Sequence, residues 1–192
     1  MEVRRIISKE EEHKKKRRNQ FIVGGVLVLL MVLSTLGYAF QGNPSTQNTS
    51  EEVIYNGYKF VPQSGFWVLQ MGDFLFRFSY NPQQTENILG EFKLVNNYAG
   101  KPLYISSEDG LAESEIYANL DQVILRRQYA CLEGENCTGG LPTKNCNDNF
   151  IIIKEDDISG IVQENNCVFI YGPRDNLVQL TDSFIYKIIG VK

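Results

Sequence analysis

The sequence predicts an α+β protein: an N-terminal transmembrane helix, then one extracytoplasmic domain in which antiparallel, aromatic-rich hairpins precede a β-α-β-β-α part. Three observations lead there. Phe21 to Phe40 is a run of twenty residues without a charge. From Val53 onward, short aromatic and β-branched runs alternate with turn dipeptides. The C-terminal region holds a continuous apolar run, a hairpin pattern and a strongly amphipathic helix pattern.

Residues 1–20 form a basic tail, with eight Lys/Arg against four Glu. Glu10, Glu11 and Glu12 precede Lys14, Lys15 and Lys16 by four residues each, an order that favours helical ion pairs. Val3, Ile6 and Ile7 are too few to make an apolar docking face. The apolar segment 21–40 spans about 30 Å as a helix, the hydrocarbon thickness of a bilayer. Lys14, Lys15, Lys16, Arg17 and Arg18 stand just before it, and no Lys or Arg stands in the ten residues after it. The positive-inside rule therefore predicts a cytoplasmic N-terminus and an outer C-terminal domain at the cell membrane. A cleaved signal peptide is the alternative, because Gly37-Tyr38-Ala39 resembles a cleavage site. The long tail and the long apolar run favour an uncleaved signal-anchor.

Residues 41–52 read as a polar, flexible linker, and Asn48-Thr49-Ser50 fits the N-glycosylation rule. The domain covers 53–192. Asn56-Gly57, between Tyr55 and Tyr58, is a hairpin signal. Phe66 to Gln70 and Phe74 to Tyr80 form a second expected hairpin around Met71-Gly72-Asp73. Phe74, Phe76, Phe78 and Tyr80 share one face of their strand, as core residues do. Residues 83–100 carry no clear pattern. A short strand is expected at Leu103 to Ile105, then a helix from about Leu111 to Tyr129 capped by Ser107 or Asp109. Its expected rows are Leu111, Glu115, Ala118, Gln122 and Leu125, with Ile116, Leu120, Val123, Ile124 and Arg127 nearby. Phe150 to Ile153 reads as a buried central strand, and Ile161 to Gln163 with Cys167 to Tyr171 as a hairpin. The last helix places Leu177, Leu180, Thr181, Phe184, Ile185 and Ile188 on one stripe, with Asp175 as its cap and Gly190 as its stop.

Chemistry-bearing residues are few. Cys131, Cys137, Cys146 and Cys167 all lie in the outer domain, which predicts two disulfides. Of the three connectivities, Cys131–Cys137 with Cys146–Cys167 is preferred, because it closes a small loop and ties a loop to a neighbouring strand. A zinc site is the rival, though the spacings lack a close C-x2-4-C pair. The single histidine, His13, lies in the tail, so no Ser-His or Cys-His pair is expected outside. The clusters Glu108-Asp109 and Glu155-Asp156-Asp157 read as solvated turn charges. Asn136-Cys137-Thr138 is a second glycosylation candidate, at Asn136. No catalytic residue, metal or cofactor is expected.

The segments Gln128-Tyr129-Ala130-Cys131, Asn145-Cys146-Asn147-Asp148-Asn149, Asn166-Cys167-Val168-Phe169-Ile170 and Asp182 to Gly190 resemble those of an uncharacterised set of small, single-pass membrane-anchored archaeal proteins. The resemblance covers about the last 100 residues. It implies an archaeal surface location and structural cysteines, and it brings no activity. The chain beyond residue 20 carries eleven Lys/Arg against nineteen Asp/Glu, which argues against nucleic acid as a partner of the outer domain. The expected partners are the lipid bilayer and another envelope or membrane protein. The expected function is a non-enzymatic interaction or structural module of the cell envelope. A ligand-binding or sensory ectodomain acting through a partner is the alternative, and a carboxylate-based surface enzyme a lesser one.

Overall fold

Aromatic and β-branched strands interrupted by tight turns have a simple outcome here: four consecutive strands make one antiparallel meander. They are β1 (Val53–Tyr55), β2 (Tyr58–Gln63), β3 (Phe66–Met71) and β4 (Phe74–Phe78), hydrogen-bonded in that order. The computed structural model describes residues 9–41, 52–135, 137 and 139–192. The chain divides into two units, residues 1–48 and 49–192.

In the first unit the described residues form one helix, α1 (Lys9–Gln41). It runs without a break through the basic residues and the apolar segment. It is the one helix among the described residues long and apolar enough to cross a membrane. The linker 42–51 and the candidate Asn48 lie outside the described residues.

In the second unit the meander turns need positive φ, and the sequence supplies residues that tolerate it. Asn56 and Gly57 stand at 49° and 83°, and Ser64 and Gly65 at 52° and 86°. The turn at Ser64-Gly65 joins the two expected hairpins into one sheet. The following strands are β5 (Pro102–Ser107), β6 (Arg126–Tyr129), β7 (Cys131–Leu132), β8 (Thr143–Lys144), β9 (Phe150–Glu155), β10 (Gly160–Glu164) and β11 (Cys167–Gly172). Five of them form a mixed sheet in the order β10-β11-β9-β5-β6. Only β10–β11 is antiparallel in it. Strands β7 and β8 pair parallel, on their own.

Two helices complete the domain, α2 (Gly110–Leu120) and α3 (Arg174–Ile188). They pack on each other, on the mixed sheet and, through α2, on β4. The order of layers is mixed sheet, helix pair, meander. One continuous core fills it, built from Phe60, Leu69, Phe76 and Phe78 of the meander, Ile116 and Leu120 of α2, Leu177 and Phe184 of α3, and Ile105, Ile151 and Ile170 of the sheet. Phe60 and Phe78 meet the Tyr186 ring at centroid distances of 5.6 and 4.1 Å. A smaller apolar cluster on the opposite face of the mixed sheet joins Tyr104, Ala130, Phe150, Ile152 and Cys167.

Several expectations are corrected. The helix expected to reach Tyr129 ends at Leu120, and Arg126–Tyr129 is an edge strand. The β-branched pair Val123-Ile124 sits in the connection, and β6 gains backbone partners along β5 that a longer helix would forgo. Leu111, expected on the packed row, is exposed, and the buried set is Ala112, Glu115, Ile116, Asn119 and Leu120. Asp109 is the cap of α2, its Oδ1 accepting from Ala112 N at 2.7 Å. Asp175 does not cap α3; Pro173 holds that position and Asp175 lies in the first turn. Phe74 stays exposed at the end of its strand. Gly190, at φ 80°, closes α3 in a Schellman arrangement, with Val191 N donating to Tyr186 O and Gly190 N to Lys187 O.

Candidate functional site

Alternation along the meander buries one face and leaves the other to solvent. The outward side chains are Ile54 on β1, Lys59, Val61 and Gln63 on β2, Phe66, Val68 and Gln70 on β3, and Leu75 and Arg77 on β4. Register places Val61 opposite Val68, and Val68 opposite Arg77. Phe66 lies beside them, two residues along β3. Ile54 is 70% exposed, Val61 41% and Phe66 45%. An open cavity of about 470 Å³ lies on this face, lined by Lys59, Val61, Gln63, Val68 and Gln70 among others. A solvent face of an antiparallel sheet ordinarily alternates to polar residues. This one keeps an apolar centre. Lys59 is paired with Glu52 at 2.7 Å.

The free edge of β4 is closed by side chains rather than by another strand. Leu75 N donates to Gln122 Oε1 at 3.1 Å, and Gln122 Nε2 donates back to Leu75 O at 3.0 Å. Arg77 N donates to Asn119 Oδ1 at 2.8 Å, and Asn119 Nδ2 returns a bond to Arg77 O at 2.7 Å. Asn119 near the end of α2 and Gln122 just beyond it, three residues apart, thus serve residues two apart on β4. Each amide makes the donor–acceptor pair that a neighbouring strand would make.

Beyond β4 the row continues with carboxyls. Ser79 Oγ donates to Glu115 Oε1, and Tyr80 N donates to Asp182 Oδ2 at 2.9 Å. Tyr186 Oη donates to Tyr80 O at 2.6 Å. Asp182 is 0% exposed and Glu115 7%. The two carboxyls lie close enough for each to bear on the other's proton affinity. Burial, reinforced by the Glu115 charge, pushes the Asp182 carboxyl well above the usual carboxylate range. Burial raises Glu115 too, against the Ser79 and Asp182 bonds that lower it.

The carboxyl ends of β5, β9 and β11 form the rim where open parallel sheets take ligands. Glu108, Asp109, Glu155 and Arg174 gather there. Arg174 reaches Glu155 at 3.2 Å and Asp109 at 3.6 Å. An open cavity beside it is lined by Glu155, Asp156, Asp157, Pro173 and Arg174. The acidic clusters are therefore partly engaged, not merely solvated. Asp109 caps one helix and faces Arg174, so that guanidinium is already neutralised and is a poor anchor for an anionic ligand.

The predicted cysteine residues fall into two bonded pairs, Cys131 with Cys137 and Cys146 with Cys167. The second fastens the 131–149 loop over the outer cluster of the mixed sheet, where Lys144 Nζ stands 4.4 Å from the Tyr104 ring centre. The basic residues Lys14 to Arg18 lie in α1, with Arg17 and Arg18 exposed. The glycosylation candidate Asn136 lies outside the described residues. Sequence reading missed Asn119 and Asp182, and placed Glu115 and Gln122 in a packed row without a role. A usable signal was present in α3, where Asp182 falls among Leu180, Thr181, Phe184 and Ile185, inside the apolar stripe. No family model, curated protein or solved structure matches the chain.

Proposed function

We propose that the chain is a membrane-anchored, extracytoplasmic interaction module of the cell envelope, without enzymatic activity, and that the outer face of the meander is its contact surface. The apolar centre formed by exposed Val61 and Phe66 and half-buried Val68, with Ile54 and Leu75 at its margins, carries this reading. Anchoring rests on the length and composition of α1. The outward orientation rests on the basic cluster Lys14 to Arg18 ahead of the apolar run.

The dimensions of the face favour a particular kind of partner. Four strands about 4.8 Å apart, with up to six residues at about 3.3 Å each, give a patch of roughly 300 Å². A stable soluble complex buries about 800 Å² on each side. A patch this small suits a partner held in the same membrane, where tethering raises the effective concentration. Its complement is an apolar surface with a carboxylate for Arg77, whose guanidinium joins no ion pair among the described residues.

The test is site-specific photo-crosslinking in native membranes. A photoreactive residue at position 61 should yield a discrete adduct with another protein. The same residue at position 158, exposed outside the meander, should not. Phe66→Glu should abolish the adduct. Absence of an adduct at 61, the same products from both positions, or an adduct with a second copy of the chain would each refute this reading.

A further inference from the structure

Two carboxyls from different helices meet in the interior beside the end of β4, and their bonding is incomplete as two anions. Asp182 Oδ2 is taken by Tyr80 N, while Oδ1 is buried and meets no donor. Glu115 accepts from Ser79 Oγ and lies against Asp182. Carboxylates are acceptors only, so the contact between them becomes a hydrogen bond when one proton lies between them, and Oδ1 is the atom left to carry it.

We propose that Glu115 and Asp182 form a proton-operated latch: one shared proton fastens the end of the meander to the helix pair, and loss of that proton releases it. The groups facing the pair make it sensitive to that proton. From α2 come Glu115 and the neutral amide of Asn119, which is already spent on Arg77 and on Glu115 O. From α3 come Asp182 and Tyr186, whose hydroxyl is committed to Tyr80 O. From β4 and the residues after it come the Ser79 hydroxyl and the Tyr80 amide. The ring of Phe60 lies beside Tyr186 and is apolar. Arg77 leads into the turn, but no ion pair reaches either carboxylate among the described residues. A second negative charge would therefore be buried without a counter-ion, and hydration of the pair requires the strand end to move away. What moves is the segment that bears Arg77, Ser79 and Tyr80, at the margin of the meander's outer face. The latch is thus a further property of the domain and does not depend on what that face binds.

The test is amide hydrogen exchange on the full chain in detergent micelles between pH 5 and 8, read at Arg77 and Tyr80. After correction for intrinsic exchange, the wild-type protection of both amides should fall by up to about tenfold per pH unit, as a one-proton opening requires. In Asp182→Asn the side-chain NH2 supplies the bridging hydrogen permanently and the carbonyl still accepts from Tyr80. Corrected protection should then be independent of pH. Glu115→Gln should behave alike, its amide donating to Asp182. The same pH slope in the wild type and in either variant overturns the proposal. Should neither variant fold, carboxyl 13C titration of the wild type decides. One carboxyl still protonated above pH 6 supports the latch, and two carboxyls titrating in the ordinary range of about 4 refute it.

Discussion

Asn119 shows how a single buried side chain can hold two layers together. It is 0% exposed, and its oxygen and nitrogen are satisfied by Arg77 N, Arg77 O and Glu115 O. Asn119→Ala removes the partners of two backbone groups on β4. The expected loss is about 2–4 kcal/mol in urea unfolding, because each orphaned polar group costs about 1–3 kcal/mol. Gln122→Ala breaks similar bonds at an exposed position, where water replaces them, and should cost under about 1 kcal/mol. Equal losses would mean that β4 is held by packing alone. Glu115 and Asp182 give the same neighbourhood a pH signature. Both are raised from the ordinary carboxylate value, chiefly by burial. Between the unfolded value of about 4 and the raised folded values, the native state therefore binds more protons than the unfolded chain. Stability must fall as pH rises through that window. The urea midpoint of the wild type should be higher near pH 5 than near pH 8, and Asp182→Asn should flatten the difference.

At the level of elements, turn chemistry and periodicity made most of the fold readable. Asn56-Gly57, the apolar run at Phe150, the β10–β11 hairpin and Gly190 each carry a local reason for what they become. Among the readings that failed, the end of α2 was decided by a partner distant in the chain and the start of α3 by a near neighbour. The β-branched pair Val123-Ile124 is a weak local signal for ending α2 at Leu120; β6 is a strand because β5 offers it a parallel edge. Asp175 was a sound cap by type, yet Pro173, with its fixed φ, starts α3 instead. The site was least legible of all. Glu115, Asn119 and Asp182 acquire their roles only when β4, over thirty residues earlier, arrives with an unpaired edge. The cysteine spacing did point to the pairs, and their loop sizes predict their ranking. In the loop-entropy description, Cys146–Cys167 closes the longer span and contributes about 3 kcal/mol, against about 2 kcal/mol for Cys131–Cys137. The double variant Cys146→Ala, Cys167→Ala should lose more stability in guanidinium unfolding than Cys131→Ala, Cys137→Ala. The longer bridge also covers Phe150 and Ile152, which widens the gap. The reverse order would show that the short loop, not the long one, holds the outer cluster closed.

For the molecule as a whole, charge is divided between the two units in the way expected of a chain that crosses a membrane once. Residues 1–20 are basic, while the rest carries more acids than bases. Moving a Lys/Arg-rich flank across a bilayer is disfavoured, so in the orientation we propose the basic flank stays inside and the acidic domain is carried outward. The cysteines allow a clean measurement. No free cysteine stands among the described residues, and all four of the chain's thiols are paired. A thiol reagent that cannot cross membranes therefore has no background target in the oxidised protein. Cysteines introduced one at a time, as Ser8→Cys before the apolar segment and Ser50→Cys after it, then report the side on which each lies. In intact cells the reagent should label the variant at position 50 and leave the one at position 8 unlabelled. After the cells are opened, both should label. Labelling at position 8 alone in intact cells would invert the orientation. Labelling of position 50 only after opening would place the acidic domain inside, where a reducing compartment would leave its two bridges without support.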